Sequence, residues 1–461
     1  MKVLLMSPLS KEPIRYPHLG LGYLATYIRD AVDNIEIFIP KKDDDEASLA
    51  AILRRLNPNI VGISVYSLSF RAAQVTAGLI KKANQDITVI AGGPHPSGDP
   101  EGTLNATDAI DYAFQGEAET GLRQLVRLLS KHQAPGDDEL SQIPGLVWRR
   151  AGGVVTNAPA FIDDLDTIGF PAYDLLRPDE FRGSTGSGFM RSARIGFICA
   201  SRGCPRRCTF CAGHVVNGRT LRKRDPRKVV EEMELLYREY GIREVQFTDP
   251  DISLDTDYLR EICEAMVKQG VRLHWSAAAH SKSLDTNLLA LMRKSGCYML
   301  RLGVESGSER ISRLIKKGVD FPQVEEMTRL IRKRGIHAHA FFILGLPTET
   351  LAEMKQTLEL SKKLDLDSAS FAIFQPLPGS EIYESQVKSN PQIKLDWDNF
   401  NYFKDAGFTF TLPFKDMKRI QRKAYLDFYL RPKMIIRTAK KFLGLKKLAI
   451  LVEMVKRNLG S

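Results

Sequence analysis

The sequence predicts an α/β protein in which an N-terminal, doubly wound parallel sheet precedes a partial (β/α)6 barrel and a helical, basic C-terminal tail. Short apolar segments alternate with amphipathic helical segments along most of the 461 residues. This alternation is typical of parallel sheets that are covered by helices. A stretch with turn and hairpin signals separates two such series. The length fits about three domains, and the predicted segments are 1–135, 136–190, 191–400 and 401–461.

The first series holds five strand candidates separated by helices. The first predicted helix places its apolar residues Leu21, Leu24, Ala25 and Ile28 on one face. The predicted strands are Lys2–Ser7, Ile35–Ile39, Ile60–Tyr66, Thr88–Ala91 and Tyr112–Phe114, and the predicted helices are Leu19–Ala31, Ala47–Leu56, Phe70–Ala83 and Gly121–Ser130.

Small and polar residues follow the strands of this Rossmann-like segment, where ligands of open parallel sheets bind. Glycine at a strand end lets a flat ligand or a phosphate approach the backbone. A nucleotide-binding domain or a purely structural one would show similar glycines. The candidate ligand-binding residues at the carboxyl ends of the third, fourth and fifth strands are Ser64, Gly92, Gly93, His95, Gly116 and Glu117.

The connector contains a hairpin pattern, because Val147–Arg150 and Val154–Thr156 flank a Gly-Gly pair. From Arg194 onward, six strand and helix units predict a partial, TIM-like (β/α)6 barrel, whose chemistry belongs at the carboxyl ends of the strands. The predicted strands are Ile195–Ala200, Glu244–Thr248, His274–Ala278, Met299–Val304, His337–Ile343 and Ser368–Gln375, separated by helices such as Lys228–Tyr240, Tyr258–Gln269, Thr286–Lys294, Glu309–Lys316, Gln323–Arg334 and Leu351–Leu364.

Three cysteines, Cys204, Cys208 and Cys211, lie within eight residues after the first barrel strand. Thiolates at this spacing can bind one soft metal centre. A cubane of four irons held by three thiolates leaves one iron open for a substrate. A structural zinc normally requires four ligands, and inert thiols are a further alternative. The remaining cysteines are predicted to be small core residues or, for the first, a bystander or spare thiol: Cys199, Cys263 and Cys297.

This Cys-x-x-x-Cys-x-x-Cys motif, with Phe210 directly before the third cysteine, resembles that of the radical S-adenosylmethionine (SAM) enzymes. The resemblance implies that Cys204, Cys208 and Cys211 bind a [4Fe–4S] cluster whose open iron chelates SAM. An external one-electron reductant of the flavodoxin or ferredoxin type would then drive cleavage of SAM to a 5′-deoxyadenosyl radical. Further motifs match the family in order across residues 195–384.

The same resemblance implies SAM contacts at the later strand ends. Asp249 and Asp251 would help to hold the amino group of SAM, although an Asp there could also cap the next helix. Glu305 would contact SAM, often through the ribose, and a buried Glu is costly unless it is paired. Gly345 and Gln375 would lie near the adenosine and the adenine.

The N-terminal segment resembles the cobalamin-binding domain that precedes the radical SAM core in one large class. The matching stretches are Pro17–Ala25, Gly92–His95 and Gly116–Glu119. The resemblance implies that the six candidate residues at the strand ends contact cobalamin. The Asp-x-His-x-x-Gly motif, which supplies a histidine ligand to cobalt in other cobalamin proteins, does not occur in this segment, so we expect no such ligand.

For several other polar residues near the barrel mouth, the sequence allows either a functional or a structural role. His214 would contact the cluster or cobalamin, or lie on the surface, and His280 would face the mouth or the packing. The pair Tyr298 and Arg301 would face the substrate or belong to the core, and the core is the stronger expectation.

The net charge of +11 is concentrated in the tail, where residues 415–461 hold fourteen basic and three acidic side chains. A nucleic-acid-binding protein is more often basic over its body, so we expect no specific nucleic-acid partner. Mixed basic and apolar residues predict peripheral contact with an anionic membrane or a helical subdomain with a solvated basic face. No apolar run fits a signal peptide or a membrane span, so the cytoplasm is expected.

The sequence therefore predicts a cobalamin-dependent radical SAM enzyme that methylates an unactivated carbon of a small-molecule or lipid-like substrate. The alternatives are a cyclase or oxidoreductase with the same cofactors, and a non-catalytic cobalamin or redox sensor. Methylthio transfer is disfavoured, because enzymes of that kind normally carry further cysteines in the N-terminal domain, and the first 198 residues contain none.

Overall fold

The computed structural model describes residues 1–10, 18–132, 134–181, 191–192 and 194–441. The described residues form fifteen strands and seventeen α-helices. The strands are β1 (Lys2–Met6), β2 (Asn34–Phe38), β3 (Ile60–Ser64), β4 (Thr88–Gly92), β5 (Tyr112–Phe114), β6 (Leu146–Arg150), β7 (Gly153–Thr156), β8 (Ile195–Ile198), β9 (Ser201–Arg202), β10 (Arg222–Lys223), β11 (Glu244–Phe247), β12 (His274–Ala279), β13 (Cys297–Glu305), β14 (His337–Leu344) and β15 (Ser368–Ile373).

Eight of the described helices begin at an Asp, Ser or Thr whose side chain accepts a hydrogen bond from the first turn, and among them α15 begins with a capping box formed by Thr350 and Glu353. The helices are α1 (Leu19–Ile28), α2 (Glu46–Leu56), α3 (Phe70–Ala83), α4 (Pro94–Gly98), α5 (Pro100–Asn105), α6 (Glu119–Lys131), α7 (Asp137–Ser141), α8 (Tyr173–Leu176), α9 (Gly213–Asn217), α10 (Pro226–Glu239), α11 (Thr256–Gln269), α12 (Thr286–Lys294), α13 (Glu309–Leu314), α14 (Phe321–Lys333), α15 (Leu351–Lys363), α16 (Phe414–Tyr429) and α17 (Pro432–Lys441).

The first sheet has seven strands in the order β2-β1-β3-β4-β5-β6-β7. Strands β1 to β5 are parallel, as the doubly wound pattern predicts. The hairpin of β6 and β7, which the sequence analysis assigns to the connector, instead pairs antiparallel with β5, where Phe114 is opposite Leu146. An isolated hairpin is marginal in water, so this pairing gives the hairpin its stability.

The second sheet has six parallel strands in the order β15-β14-β13-β12-β11-β8, which confirms the predicted partial barrel. Side chains alternate between its two faces. On β13, Leu300, Leu302 and Val304 are buried in the core beneath the helices. The alternate residues Arg301 and Glu305 therefore face the inside of the barrel.

Helix α16 covers the edge strand β15, whose outer backbone groups would otherwise lack partners. The Tyr429 hydroxyl accepts a hydrogen bond from the Ala369 N–H (3.0 Å) and donates one to the Ala369 carbonyl (2.8 Å). The Tyr425 hydroxyl accepts from the Phe371 N–H at 3.2 Å. Two tyrosines therefore take the place of a seventh strand.

We expect Tyr429→Phe to lower the free energy of unfolding by about 1–3 kcal/mol, because it leaves a partly buried N–H and carbonyl without their partner. Urea unfolding followed by circular dichroism measures this change. Tyr27→Phe is the matched control, since the Tyr27 hydroxyl makes no hydrogen bond to another described residue, whereas its ring contacts Arg123. Equal losses in both variants would contradict the edge-capping role.

Helix α17 uses part of the basic tail within the fold. Lys433 and Arg437 both form ion pairs with Asp365, at 2.9 and 2.8 Å. Leu430, Ile435 and Ile436 nevertheless remain exposed. The rest of the predicted amphipathic tail, residues 442–461, lies outside the described residues. Among the described helices, none is long and apolar enough to span a bilayer.

Candidate functional site

The cysteine segment lies between β9 and α9 and is fixed by backbone hydrogen bonds to other barrel loops. The Cys204 N–H donates to the Gly218 carbonyl (3.2 Å), and the Thr209 N–H donates to the Ile315 carbonyl (3.1 Å). Gly203 has a φ of +90°, and a Cβ built on it would lie 1.9 Å from the Thr220 carbonyl oxygen. Only glycine therefore allows the chain to enter the segment along this path.

The three thiols are available to a metal centre. Cys204 and Cys208 are half-buried, and burial raises the pKa of both. Cys211 is exposed, and its sulfur accepts a hydrogen bond from the Gly213 N–H at 3.3 Å. In the described part of the chain, no three His, Cys, Asp or Glu side chains converge on a single ion. A cubane cluster requires no such convergence, because each thiolate binds a different iron.

Phe210 anchors the segment to the barrel mouth. Its ring packs against a small cluster of buried apolar residues that is separate from the main core. This contact holds the segment over the carboxyl ends of β14 and β15. The cluster comprises Ile311, Ile315, Leu346, Phe374 and Ile382.

Asp249 and Asp251 follow β11 and both are buried. Asp249 accepts hydrogen bonds from the Ala200 N–H (3.1 Å) and the Ser201 hydroxyl (2.6 Å), so it joins the ends of two strands beneath the cysteines. Asp251 forms an ion pair with Arg206, which lies between the first two cysteines, at 3.0 Å. Both carboxylates thus position the cysteine segment, and their predicted contact with SAM stays a prediction.

Glu305 ends β13 at a register shift and has a φ of +68°, a strained conformation for a residue with a side chain. Its carboxylate lies 3.3 Å from Lys317. Burial raises the pKa of Glu305, and Lys317 opposes this rise. Burial lowers the pKa of Lys317, but the nearby Glu305 and Cys208 raise it, and the net shift is upward. A buried ion pair therefore borders the cysteine segment.

The ends of β14 and β15 carry polar atoms without partners in the described chain. Gln375 is 2% exposed, and neither its amide nitrogen nor its amide oxygen has a hydrogen-bond partner. Glu349 accepts the Gly345 N–H (2.7 Å) and the Leu346 N–H (3.1 Å) through one oxygen, while its other oxygen is unpartnered. Buried polar groups need partners, so these residues fit a polar ligand such as a nucleoside.

Glu349 gives a pH-dependent prediction, because burial raises its pKa to about 7. Between the unfolded pKa near 4.5 and about 7, the folded chain retains a proton that the unfolded chain has lost. We therefore expect stability to fall as pH rises through this window, by at most about 3 kcal/mol. Urea unfolding from pH 5 to 8 measures the slope, which Glu349→Gln should flatten; an unchanged slope would contradict the assignment.

The carboxyl ends of β3 and β4 form a cradle in the first domain. A Cβ built on Gly92 meets no atom within 4 Å, whereas Gly93 has a φ of +102° and lies against the backbone of Val65. The Ser64 hydroxyl borders the same point, 3.5 Å from a Cβ built on Gly93. An open space beside two glycines fits a large, flat ligand.

His95 lies in α4, which follows this cradle, and its side chain is fully buried. Its Nδ1 lies 3.0 Å from the Ser67 hydroxyl, and its Nε2 has no partner in the described chain. The ring stacks on Phe70 and meets the edge of Trp397. Burial lowers its pKa to about 3, so the ring is neutral.

Gly116 and Glu117 lie at the domain interface. Gly116 has a φ of +73° and donates its N–H to the Ser97 hydroxyl at 3.0 Å. Glu117 binds Arg222 through two hydrogen bonds of 2.6 and 2.8 Å, and Arg202 lies 3.3 Å away. Because both carboxylate oxygens are used within the chain, the structure gives Glu117 an interdomain role.

Helix α4 of the first domain packs directly beside the cysteine segment. A Cβ built on Gly98 would lie 2.2 Å from the Pro378 carbonyl oxygen, just after β15. A Cβ built on Gly379 would lie 3.0 Å from the Gly98 Cα and 2.5 Å from Val215 in α9. The glycine cradle and the cysteines therefore flank one junction between the two sheets.

Two family models match the two parts of the chain that carry these sites. Residues 198–361 match the radical SAM superfamily, and residues 13–126 match the B12-binding domain. A barrel with three cysteines after its first strand thus defines a radical SAM enzyme. Together with its first domain, the chain belongs to the cobalamin-binding radical SAM family.

Three relatives cover most of the chain. An uncharacterized methyltransferase of Pyrococcus horikoshii is 32% identical and covers 95% of this chain and 94% of its own length. The cytidylyl-2-hydroxyethylphosphonate methyltransferase of Streptomyces wedmorensis is 28% identical, covering 84% and 82%. The anaerobic magnesium-protoporphyrin IX monomethyl ester cyclase of Rubrivivax gelatinosus is 25% identical, covering 84% and 69%.

A solved structure shares the fold over almost the whole chain. The cobalamin-dependent SAM radical enzyme OxsB superposes with a TM-score of 0.74 at 18% identity, covering 99% of this chain and 71% of its own. At this identity the likeness shows the fold alone. The cofactors of this chain follow from the two matched domains: a [4Fe–4S] cluster, SAM and cobalamin.

Sequence reasoning did not find two residues of this region. Lys317 is one of two adjacent lysines after α13, and nothing in the pattern separates a buried lysine from a solvated one. Trp397 comes from a polar segment after the barrel, yet its ring contacts both Phe70 and His95 in the first domain. The aromatic residues clustered around Trp397 were the available signal.

Proposed function

We propose that this enzyme methylates an unactivated carbon of a small-molecule or lipid-like substrate. When bound, the cluster and SAM supply a radical that abstracts hydrogen, and cobalamin supplies the methyl group. The chain itself would hold these groups around one space and exclude water from it. The name of the 32% identical relative supports methyl transfer.

One observation carries this proposal: the short helix after the glycine cradle packs against the helix that follows Cys211. Gly98 approaches Pro378 and Gly379 so closely that no side chain fits between them. A cofactor in the cradle and one on the cysteines would therefore face a common substrate. Methylation by a radical route requires this proximity, because the methyl donor and the hydrogen-abstracting group must reach the same carbon.

The test uses the full chain, reconstituted anaerobically with iron, sulfide and cobalamin and reduced in the presence of SAM. Methyl transfer predicts both 5′-deoxyadenosine and S-adenosylhomocysteine, the second only with cobalamin. We expect Gly92→Val to lose cobalamin and S-adenosylhomocysteine while keeping iron and 5′-deoxyadenosine, because a Cβ at this position enters open space, with no atom of the chain within 4 Å. Val155→Ala, at a half-buried site on β7, is a control for the first sheet.

The alternatives give different products. A cyclase or oxidoreductase, a possibility kept open by the relative from Rubrivivax gelatinosus, would form 5′-deoxyadenosine without S-adenosylhomocysteine. A non-catalytic sensor would cleave no SAM. Either result in the wild-type protein would overturn the methylation proposal.

Two partners complete the proposal. A flavodoxin- or ferredoxin-type protein would supply the electron for SAM cleavage. Exposed Leu430, Ile435 and Ile436, together with the basic tail, would contact an anionic membrane. Ile435→Glu with Ile436→Glu should reduce co-sedimentation with anionic vesicles without exposing the barrel edge that α16 covers. Unchanged co-sedimentation would contradict membrane contact at this surface.

A further inference from the structure

The inner face of the barrel is unusually polar. Barrel interiors are normally filled by bulky apolar side chains. Here the inward positions of neighbouring strands include Ser276 on β12, Arg301 on β13 and His339 on β14. Arg301 pairs in register with Ala278 on one side and His339 on the other. A cation thus occupies the middle of the sheet, facing the interior.

Arg301 has no carboxylate partner among the described residues. Its side chain is buried, with the residue 7% exposed, and its one hydrogen bond to a described side chain is a long contact of 3.5 Å to the Ser276 hydroxyl. The neighbouring acid Glu244 is already satisfied by the N–H groups of Arg191 (2.7 Å) and Ser192 (2.9 Å) and by the Tyr298 hydroxyl. Among the described residues Arg301 forms no ion pair, and a buried charge without such a partner is costly.

Toward the barrel mouth, the inner face beyond Arg301 is bordered at Gly303 by the Glu305 carboxylate and the Lys317 amino group, which lie 2.4 and 2.7 Å from a Cβ built on that glycine. The next inward positions are small and partly exposed: Ala278, Gly303 and Ala372. Beside them Phe341 is 38% exposed, although it lies on a central strand. A partly exposed aromatic ring on the same inner face as a guanidinium that forms no ion pair with a described residue is suited to an organic anion.

We propose that the substrate carries an anionic group, a carboxylate or a phosphate, which binds Arg301 inside the barrel while its carbon skeleton packs on Phe341. His339 does not compete for this anion, since its Nδ1 lies 2.8 Å from the Ser368 hydroxyl and its Nε2 lies 3.3 Å from Ser370. The inference rests on the proposed function, because it takes the barrel interior as the substrate site. Its test measures binding alone, so failure of methyl transfer would not affect it.

The experiment measures the binding of three small probes to the reconstituted full chain by ligand-observed NMR titration. The probes are phenylphosphonate, phenylacetate and phenylacetamide, the neutral isostere of phenylacetate. We expect the wild-type protein to bind at least one anion, and phenylacetamide more weakly. Arg301→Gln should weaken anion binding about tenfold to a hundredfold, whereas Arg272→Gln, at an exposed position before β12, should not.

Each outcome decides the inference. Selective binding of phenylphosphonate would indicate a phosphate-type substrate, and selective binding of phenylacetate a carboxylate. If neither anion bound, if phenylacetamide bound as tightly as phenylacetate, or if Arg301→Gln bound both anions like the wild-type protein, the inference would be overturned. Should Arg301→Gln fail to fold, Arg301→Lys and the comparison of acid with amide on the wild-type protein still decide.

Discussion

Cys208→Ala is expected to leave the reconstituted protein with little iron and no formation of 5′-deoxyadenosine from SAM. Without the Cys208 thiolate, only two irons of the cubane keep a protein ligand, and the cluster becomes labile. The protein without its cluster should fold, because Cys208 is only half-buried and its loop is fixed by backbone hydrogen bonds on either side. Iron and sulfide analysis, with circular dichroism as the check on folding, measures the result.

Cys199→Ala is the matched control for this experiment. The Cys199 thiol lies close to the segment but bonds to the Ser201 carbonyl at 3.2 Å, and burial raises its pKa to about 12. It is therefore a neutral thiol, and we expect its replacement to keep about four irons per chain. Full iron content in Cys208→Ala together with iron loss in Cys199→Ala would mean that the ligand set had been misassigned.

Glu117→Gln is expected to lower the free energy of unfolding by about 3–5 kcal/mol, the usual cost of removing one partner from a buried ion pair. Glu117 and Arg222 are both buried, and Arg202 adds a second cation that also binds Glu119 at 2.8 Å. Neutralising Glu117 leaves two buried guanidinium groups with one carboxylate between them. Calorimetry should show a lower transition temperature and, if the domains uncouple, two separate transitions.

Glu309→Gln provides the control, because Glu309 and Arg313 form an exposed ion pair four residues apart on one helix. Such pairs contribute about 0.3–0.5 kcal/mol, so this variant should unfold almost like the wild-type protein. Cobalamin content separates the two roles considered for Glu117. Loss of cobalamin at unchanged stability would contradict the interdomain role and favour the predicted contact with the cofactor.

The fold could be predicted largely because two kinds of local signal agree with it. Uniformly apolar strands and amphipathic helices gave each repeating unit of the barrel, and the structure keeps them with ends shifted by a few residues. The assignment of β6 and β7 to the connector was wrong, because β6 pairs with β5 in the first sheet. A hairpin pattern reports that two strands pair with each other, and it says nothing about a third strand such as β5, which lies more than thirty residues earlier.

Site residues could be predicted from the sequence where a motif indicates their chemistry. They could not be predicted where their role depends on burial. Cysteine spacing predicts a metal centre without any knowledge of packing. Whether Lys317, Glu117 and Arg301 are buried and paired depends on residues that are distant in the sequence. The local sequence does not distinguish such a side chain from one in a solvated loop. For Arg301 both roles stayed open in the sequence, and the proposed substrate role depends on the lack of an ion pair with any described carboxylate.

The tyrosines that cap β15 also have a consequence for the order in which the protein matures. The last barrel strand ends at Ile373, but the helix that covers it begins only at Phe414. A growing chain is made from its N-terminus, so the ribosome completes the barrel strands while one edge is still bare. During that interval the nascent protein can add a strand from a second chain. Helix α16 thus ends a period of vulnerability to aggregation.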